Sequence, residues 1–101
     1  MSKLMAAALA ACGFAGAAFA QDREAISAGS AIYRDKCVDC HGAGLVPTGA
    51  GADLRDLGAG DRPIFDKAMK EGRNQMPSWD GQFTPQQLEQ IWAYIRSRAN
   101  D

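Results

Sequence analysis

Cys37, Val38, Asp39, Cys40 and His41 form a C-x-x-C-H run, and these residue types at this spacing define a specific chemistry. Two thiols three positions apart can each bond one vinyl group on the same edge of a porphyrin. The histidine that follows is then carried beneath the metal, where an imidazole nitrogen can bind iron. The run therefore predicts one covalently attached haem of the c type, with Cys37 and Cys40 as its thioether links and His41 as an axial iron ligand. A local disulfide, a thioredoxin-type redox pair and half of a zinc site are the other uses of such a pair. Zinc needs two further Cys or His ligands, yet His41 is the only histidine and Cys12 lies in a segment expected to be removed. The thioredoxin reading wants a βαβ setting, and no strand-like alternation surrounds these cysteines.

With His41 on one face of the iron, the other face needs an account. In the absence of a second histidine, a methionine thioether is the strong candidate. Only Met69 and Met76 lie beyond the expected leader. Met69 stands four residues after Phe65 on an apolar stripe and reads as core filling. Met76 lies in the polar run 73–78, on no apolar face, and Pro77 restrains the backbone before it toward an extended form. Met76 is the expected second axial ligand, and an open or water-ligated face is the alternative.

The elements that must position these residues read as helical. A first helix is expected from about Arg23 to Lys36, with Ile26, Gly29, Tyr33 and Cys37 recurring at spacings of three and four. Gly29 inside it costs about 1 kcal/mol relative to alanine, a cost often tolerated where another backbone or ring presses close. Gly42 to Gly60 contains six glycines and one proline and reads as a loop, with a short helical turn at Leu54 to Leu57. A helix of about ten residues follows, with Asp61 as N-cap and Gly72 past its end. Residues 73–83 form a second polar loop. Thr84-Pro85-Gln86-Gln87 then combines a cap, a proline at the first helical position and a capping-box glutamine. Leu88, Ile91, Trp92 and Ile95 recur behind it on one face, with Tyr94 beside them. No segment shows strand alternation, so the fold class is all-α.

Residues 1–20 read as a cleaved export signal: Lys3 starts it, Leu4 to Phe19 is uncharged and apolar, and Ala18-Phe19-Ala20 is a small-x-small site. Residues 21–101 are then one small domain, too small for a comfortable core without a staple such as a covalent haem. Leu9-Ala10-Ala11-Cys12 offers a lipidation site as the alternative, although the apolar run continues past it. With Lys3 gone, acidic side chains outnumber basic ones by two. No basic cluster suits nucleic acid, and no segment after the leader suits a membrane span.

A glycine, an aromatic, C-x-x-C-H, a later M-P and a final aromatic-rich helix stand here as Gly29, Tyr33, Cys37 to His41, Met76-Pro77, and Trp92 with Tyr94. In that order they resemble a class I cytochrome c of the short bacterial kind, over essentially all of residues 23–98. The resemblance implies three main helices around one covalent haem, with Gly29 where the first and last helices cross and Tyr94 as the ring at that crossing. One departure concerns the proline whose carbonyl accepts the proximal histidine's other N–H in many relatives. Pro47 comes early here, and Ala52-Asp53-Leu54 takes the Pro-x-Leu place. The acceptor for His41 is left open.

An iron with both faces filled has no substrate site but can gain and lose one electron with little ligand movement. The expected function is a periplasmic one-electron carrier, a monomer and not an enzyme. Arg55 and Trp79 are secondary candidates for hydrogen bonds to a haem propionate. The Asp-Leu-Arg and Met-Pro-Ser-Trp runs resemble those of small cytochromes that take electrons from periplasmic quinoprotein alcohol dehydrogenases, with a terminal oxidase as the natural acceptor. The alternatives are a haem-based sensor or weak peroxidase with an open or displaceable distal face, and a fixed electron-transfer subunit of a larger oxidoreductase.

Overall fold

A computed structural model describes residues 22–100; the expected leader, its cleavage site and Cys12 lie outside the described residues. Helix α1 covers residues 22–36, the one-turn α2 covers Val38–His41, α3 covers Arg62–Glu71 and α4 covers Pro85–Ser97. Three single 3-10 turns, at Ala43–Leu45, Leu54–Asp56 and Ala59–Asp61, punctuate the loop between α2 and α3. The chain is all-α: among the described residues the only β pairing is an isolated bridge between Arg73 and Met76.

The contact between α1 and α4 explains the glycine in α1. A methyl group at Gly29 would lie 1.8 Å from the carbonyl oxygen of Gln90 and 3.0 Å from the nitrogen of Ile91. The two helices touch backbone to backbone there, and only glycine permits it. Tyr94 is the ring expected at this crossing; the atoms nearest a methyl at Gly29 are those of the Gln90 peptide, which leaves no room for even an alanine. Tyr94 packs one turn further on, its ring centroid 5.2 Å from that of Tyr33.

Local signals explain the helix ends. At α4, Thr84 Oγ1 accepts from the Gln87 N–H at 3.1 Å while Gln87 Oε1 accepts from the Thr84 N–H at 2.8 Å, closing the expected capping box. Helix α3 starts after Asp61 and stops at Gly72, as expected, but the Asp61 carboxylate does not cap it. It accepts from the Gly58 N–H at 2.7 Å and closes the preceding 3-10 turn. Tyr33, Leu45, Phe65, Met69, Ile91, Tyr94 and Ile95 are buried and make one core. Arg62 joins α3 to α4, bonding Asp66 on its own helix and Glu89 on the other, each at 2.8 Å. No helix among the described residues is long and apolar enough to cross a membrane.

Candidate functional site

The C-x-x-C-H run is itself a helical turn, which the expected end of α1 at Lys36 left out. The N–H groups of Cys40 and His41 donate to the Cys37 carbonyl at 3.3 and 3.0 Å, and the Gly42 N–H donates to Val38 at 2.9 Å. Cys37 and Cys40 are therefore one turn apart on the same side, and His41 follows directly. Neither cysteine is in a disulfide; Cys37 is half-buried and Cys40 exposed. Burial, with Cys40 beside it, pushes the Cys37 thiol up to about 11. That is away from the thiolate a redox-active dithiol uses.

His41 is held from behind. Its Nδ1 donates to the Ala52 carbonyl at 3.0 Å, which supplies the acceptor left open by the missing proline. A backbone carbonyl serves this purpose whatever side chain it carries, so alanine suffices at this place. With its proton on Nδ1, the ring keeps the lone pair of Nε2 for a metal. Thr48 reinforces the same loop, its hydroxyl donating to the Cys40 carbonyl at 3.3 Å and accepting from the Ala50 N–H at 3.3 Å.

Met76 comes from the loop after α3. A tight turn closed by Arg73 N–H to Met76 carbonyl at 3.1 Å and Met76 N–H to Arg73 carbonyl at 2.9 Å presents it, with Asn74 at φ +54°. Its side chain is half-buried against the core that Cys37 also touches. Met69, by contrast, is only 5% exposed within that core. Leu54, Leu57 and Trp79 are likewise only half-buried against the core.

The two secondary candidates sit differently. Arg55 is committed to Asp53, its Nε and Nη2 donating to both carboxylate oxygens at 3.0 Å. Trp79 stacks near Phe83 with centroids 5.5 Å apart and anchors its loop through its backbone N–H to the Met69 carbonyl at 2.7 Å. A groove of about 680 Å³ between α3, the 79–83 loop and α4 shares no lining residue with the C-x-x-C-H turn.

This chemistry can be tested against candidate occupants. Among the described residues no group of three or more His, Cys, Asp or Glu could hold a bare metal ion, so zinc has no ligand set. Two thiols one turn apart, a histidine with Nε2 free and partly open apolar side chains do fit a covalently linked porphyrin. A helical frame with such a turn defines a c-type cytochrome.

Comparison with known proteins agrees. Residues 24–95 match the family described as Cytochrome C oxidase, cbb3-type, subunit III, and the chain belongs to that family. It is 37% identical over 86 residues to quinohemoprotein alcohol dehydrogenase ADH-IIG of Pseudomonas putida, a match covering 83% of this chain and 12% of the relative. Quinohemoprotein alcohol dehydrogenase ADH IIB of the same organism is 35% identical over 78 residues, 74% of this chain and 11% of the relative. The chain thus spans about an eighth of the length of these relatives or less. Cytochrome c6 of Nostoc sp. is 31% identical over 77 residues, 71% of this chain and 69% of the relative. No solved structure matches significantly. As a member of this family the chain carries haem c covalently, and its chemistry is electron transfer.

Proposed function

We propose that this protein is a periplasmic one-electron carrier with a single haem c, bonded through Cys37 and Cys40, with His41 and Met76 as axial iron ligands. The observation that carries the reading is the 3.0 Å bond from His41 Nδ1 to the Ala52 carbonyl, which fixes the tautomer an iron ligand requires. The haem, when bound, supplies reversible one-electron exchange between ferric and ferrous iron. The chain's own residues do the rest. Cys37 and Cys40 fix the ring edge to α2, the Ala52 carbonyl keeps the Nδ1 proton on its side of the imidazole, and the turn at 73–76 presents a thioether that favours the ferrous state. Residues 1–20 act as the export signal and residues 21–101 as the working domain.

Similarity to the quinohemoprotein alcohol dehydrogenases supports a quinoprotein alcohol dehydrogenase as electron donor, with a terminal oxidase as acceptor. The same relatives, in which the matching segment is a small part of a longer protein, support a second reading: a fixed electron-transfer subunit of a larger oxidoreductase. Stable co-purification with a dehydrogenase distinguishes that subunit from a monomeric shuttle, whose encounters are weak and salt-sensitive.

The absorption spectrum of the oxidised holoprotein tests the ligand assignment. It should contain the weak iron–methionine charge-transfer band. Met76→Ala should abolish that band, lower the potential and let carbon monoxide bind the reduced protein while leaving haem attached. An unchanged spectrum and potential in that variant would remove Met76 from the site. A high-spin wild-type spectrum would favour a sensor or weak peroxidase.

A further inference from the structure

We infer that Gly51 is a positioning residue for His41, the central point of a clip formed by Thr48 to Ala52. The inference rests on the reading of His41 as an iron ligand. A methyl group at Gly51 would lie 2.9 Å from Nδ1 of His41, 3.0 Å from its Cε1 and 2.9 Å from the Cys40 carbonyl oxygen. Such approaches force one partner to move. Neither partner is the free end of a flexible side chain: one is a ring tethered through Nδ1, the other a backbone carbonyl. Glycine at 51 is thus what lets the next residue's carbonyl reach 3.0 Å from the imidazole. The same methyl at Gly60 in this loop would meet nothing within 4 Å. Close approach is a property of position 51, not of glycine-rich loops in general.

The clip touches the motif at three successive points. Thr48 Oγ1 donates to the Cys40 carbonyl, Gly51 lies against the ring edge, and the Ala52 carbonyl accepts from Nδ1. A hydrogen bond at Nδ1 makes the imidazole a stronger donor through Nε2, and stronger donation favours ferric iron. Pushing the loop off the ring lengthens that bond, weakens donation and raises the potential. Gly51 sets this quantity through distance alone, without touching the iron.

Three variants of the holoprotein test the clip: Gly51→Ala, Thr48→Val and, as a matched control, Gly60→Ala. Each is measured for reduction potential, for exchange of the His41 ring N–H by NMR in the reduced state, and for thermal midpoint. Gly51→Ala should raise the potential and speed ring N–H exchange by up to about tenfold. Thr48→Val should move both in the same direction by less, and Gly60→Ala should move neither. A Gly51→Ala protein with a lowered thermal midpoint but wild-type potential and exchange overturns the proposal. If Gly51→Ala yields no holoprotein, Thr48→Val decides, and wild-type exchange and potential there overturn it as well. The wild-type spectrum separates the two readings. Missing ring-current-shifted His41 signals refute His41 as ligand and the clip with it; shifted signals with unresponsive variants refute the clip alone.

Discussion

The loop after the C-x-x-C-H turn and the loop carrying Met76, which the proposed ligand assignment puts on the two sides of the haem, are secured in different ways. The loop after the C-x-x-C-H turn is held by residues far away in sequence. Arg96 donates to the Leu57 carbonyl at 2.7 Å, Arg98 to Gly44 at 2.9 Å, and the Asn100 N–H to Arg55 at 2.9 Å. Nearer by, Tyr33 of α1 donates to the Gly42 carbonyl nine residues on at 2.7 Å. The loop carrying Met76 is held by its near neighbours. Gly72 donates to Ala68 and Trp79 to Met69, while the Ser78 hydroxyl donates to Lys70. The ties from Arg96, Arg98 and Asn100 break only when the C-terminal segment leaves this loop, whereas bonds within one helix and its following turn, that from Tyr33 among them, can open while the rest stays folded. The His41 side is therefore tied to global stability, and the Met76 side can open locally. An electron carrier gains from this division, because the attachment side stays fixed whatever the distal loop does.

The largest predicted effect removes the frame both loops share. Gly29→Ala must separate α1 from α4, since its methyl would overlap the Gln90 carbonyl. It should cost more than about 3 kcal/mol, at the upper end for overpacking, and protect neither loop from exchange. Chemical denaturation measures it, and a loss below about 1 kcal/mol would mean that the helices do not meet there.

Tyr33→Phe comes next and addresses the attachment side alone. It deletes the bond to Gly42 and leaves a buried carbonyl without its partner, a loss of about 1–3 kcal/mol. Because Tyr33 is wholly buried and its ring packs against Tyr94 of α4, the denaturation midpoint should fall while ligand access to the distal face stays unchanged. The same hydroxyl sets an alkaline limit. Burial, the largest cause, raises the Tyr33 phenol to about 12. A phenol raised above its unfolded value near 10 contributes stability that is complete below pH 10 and is lost as pH rises toward 12. Tyr33→Phe should flatten that alkaline limb.

These residues also show what could be read from the chain before its structure. The α3 and α4 boundaries were legible because caps, prolines and terminal glycines act within a few residues of the helix end they specify. Gly29 was legible as a point of contact, although not the atoms that meet it. Helix α2 was not, since four residues are too few to show a period. The ties from Arg96, Arg98 and Asn100 were not either, because a side chain bonded to a distant carbonyl leaves no pattern around the residue that accepts it. The Ala52 carbonyl lies between these cases. Ala52-Asp53-Leu54 marked the right place, but a backbone acceptor carries no side-chain signature, and the need for glycine at 51 appears only once the imidazole is seen against it.

On the distal side, Ser78→Ala should have the mirror-image effect of Tyr33→Phe. It removes a local tie to Lys70, so global stability should fall by no more than about 1 kcal/mol. With Met76 as the proposed iron ligand, binding of an added ligand such as imidazole to the ferric iron should nevertheless accelerate, because the Met76 turn opens more often. Equal effects on stability and on ligand access would erase the distinction between the two loops.

The smallest effect sharpens the distinction through pH. Among the described residues, ion pairing in these loops belongs to the attachment side, where Arg55 grips both oxygens of Asp53. The Arg55 side-chain hydrogen bond holds the Asp53 carboxyl below the usual carboxylate range. A carboxyl depressed by folding contributes stability that is present above its unfolded value, about pH 4, and is lost as pH falls through the lower folded value. The pair is partly exposed, so the loss is small. It is also local in origin, because Asp53 caps the 3-10 turn at Leu54–Asp56 through the Arg55 N–H, and the Arg55 carbonyl receives Asn100. Below about pH 4, exchange of the Asn100 and Arg55 amides should therefore speed up by less than about tenfold, while the relative exchange of the Met76 and Trp79 amides stays as at neutral pH. Asp53→Asn keeps an oxygen for the turn but removes the titrating group, and should abolish that acid acceleration. If the wild-type Asn100 and Arg55 amides show no acceleration beyond that of Asp53→Asn, the Asp53–Arg55 pair contributes nothing to holding the attachment loop.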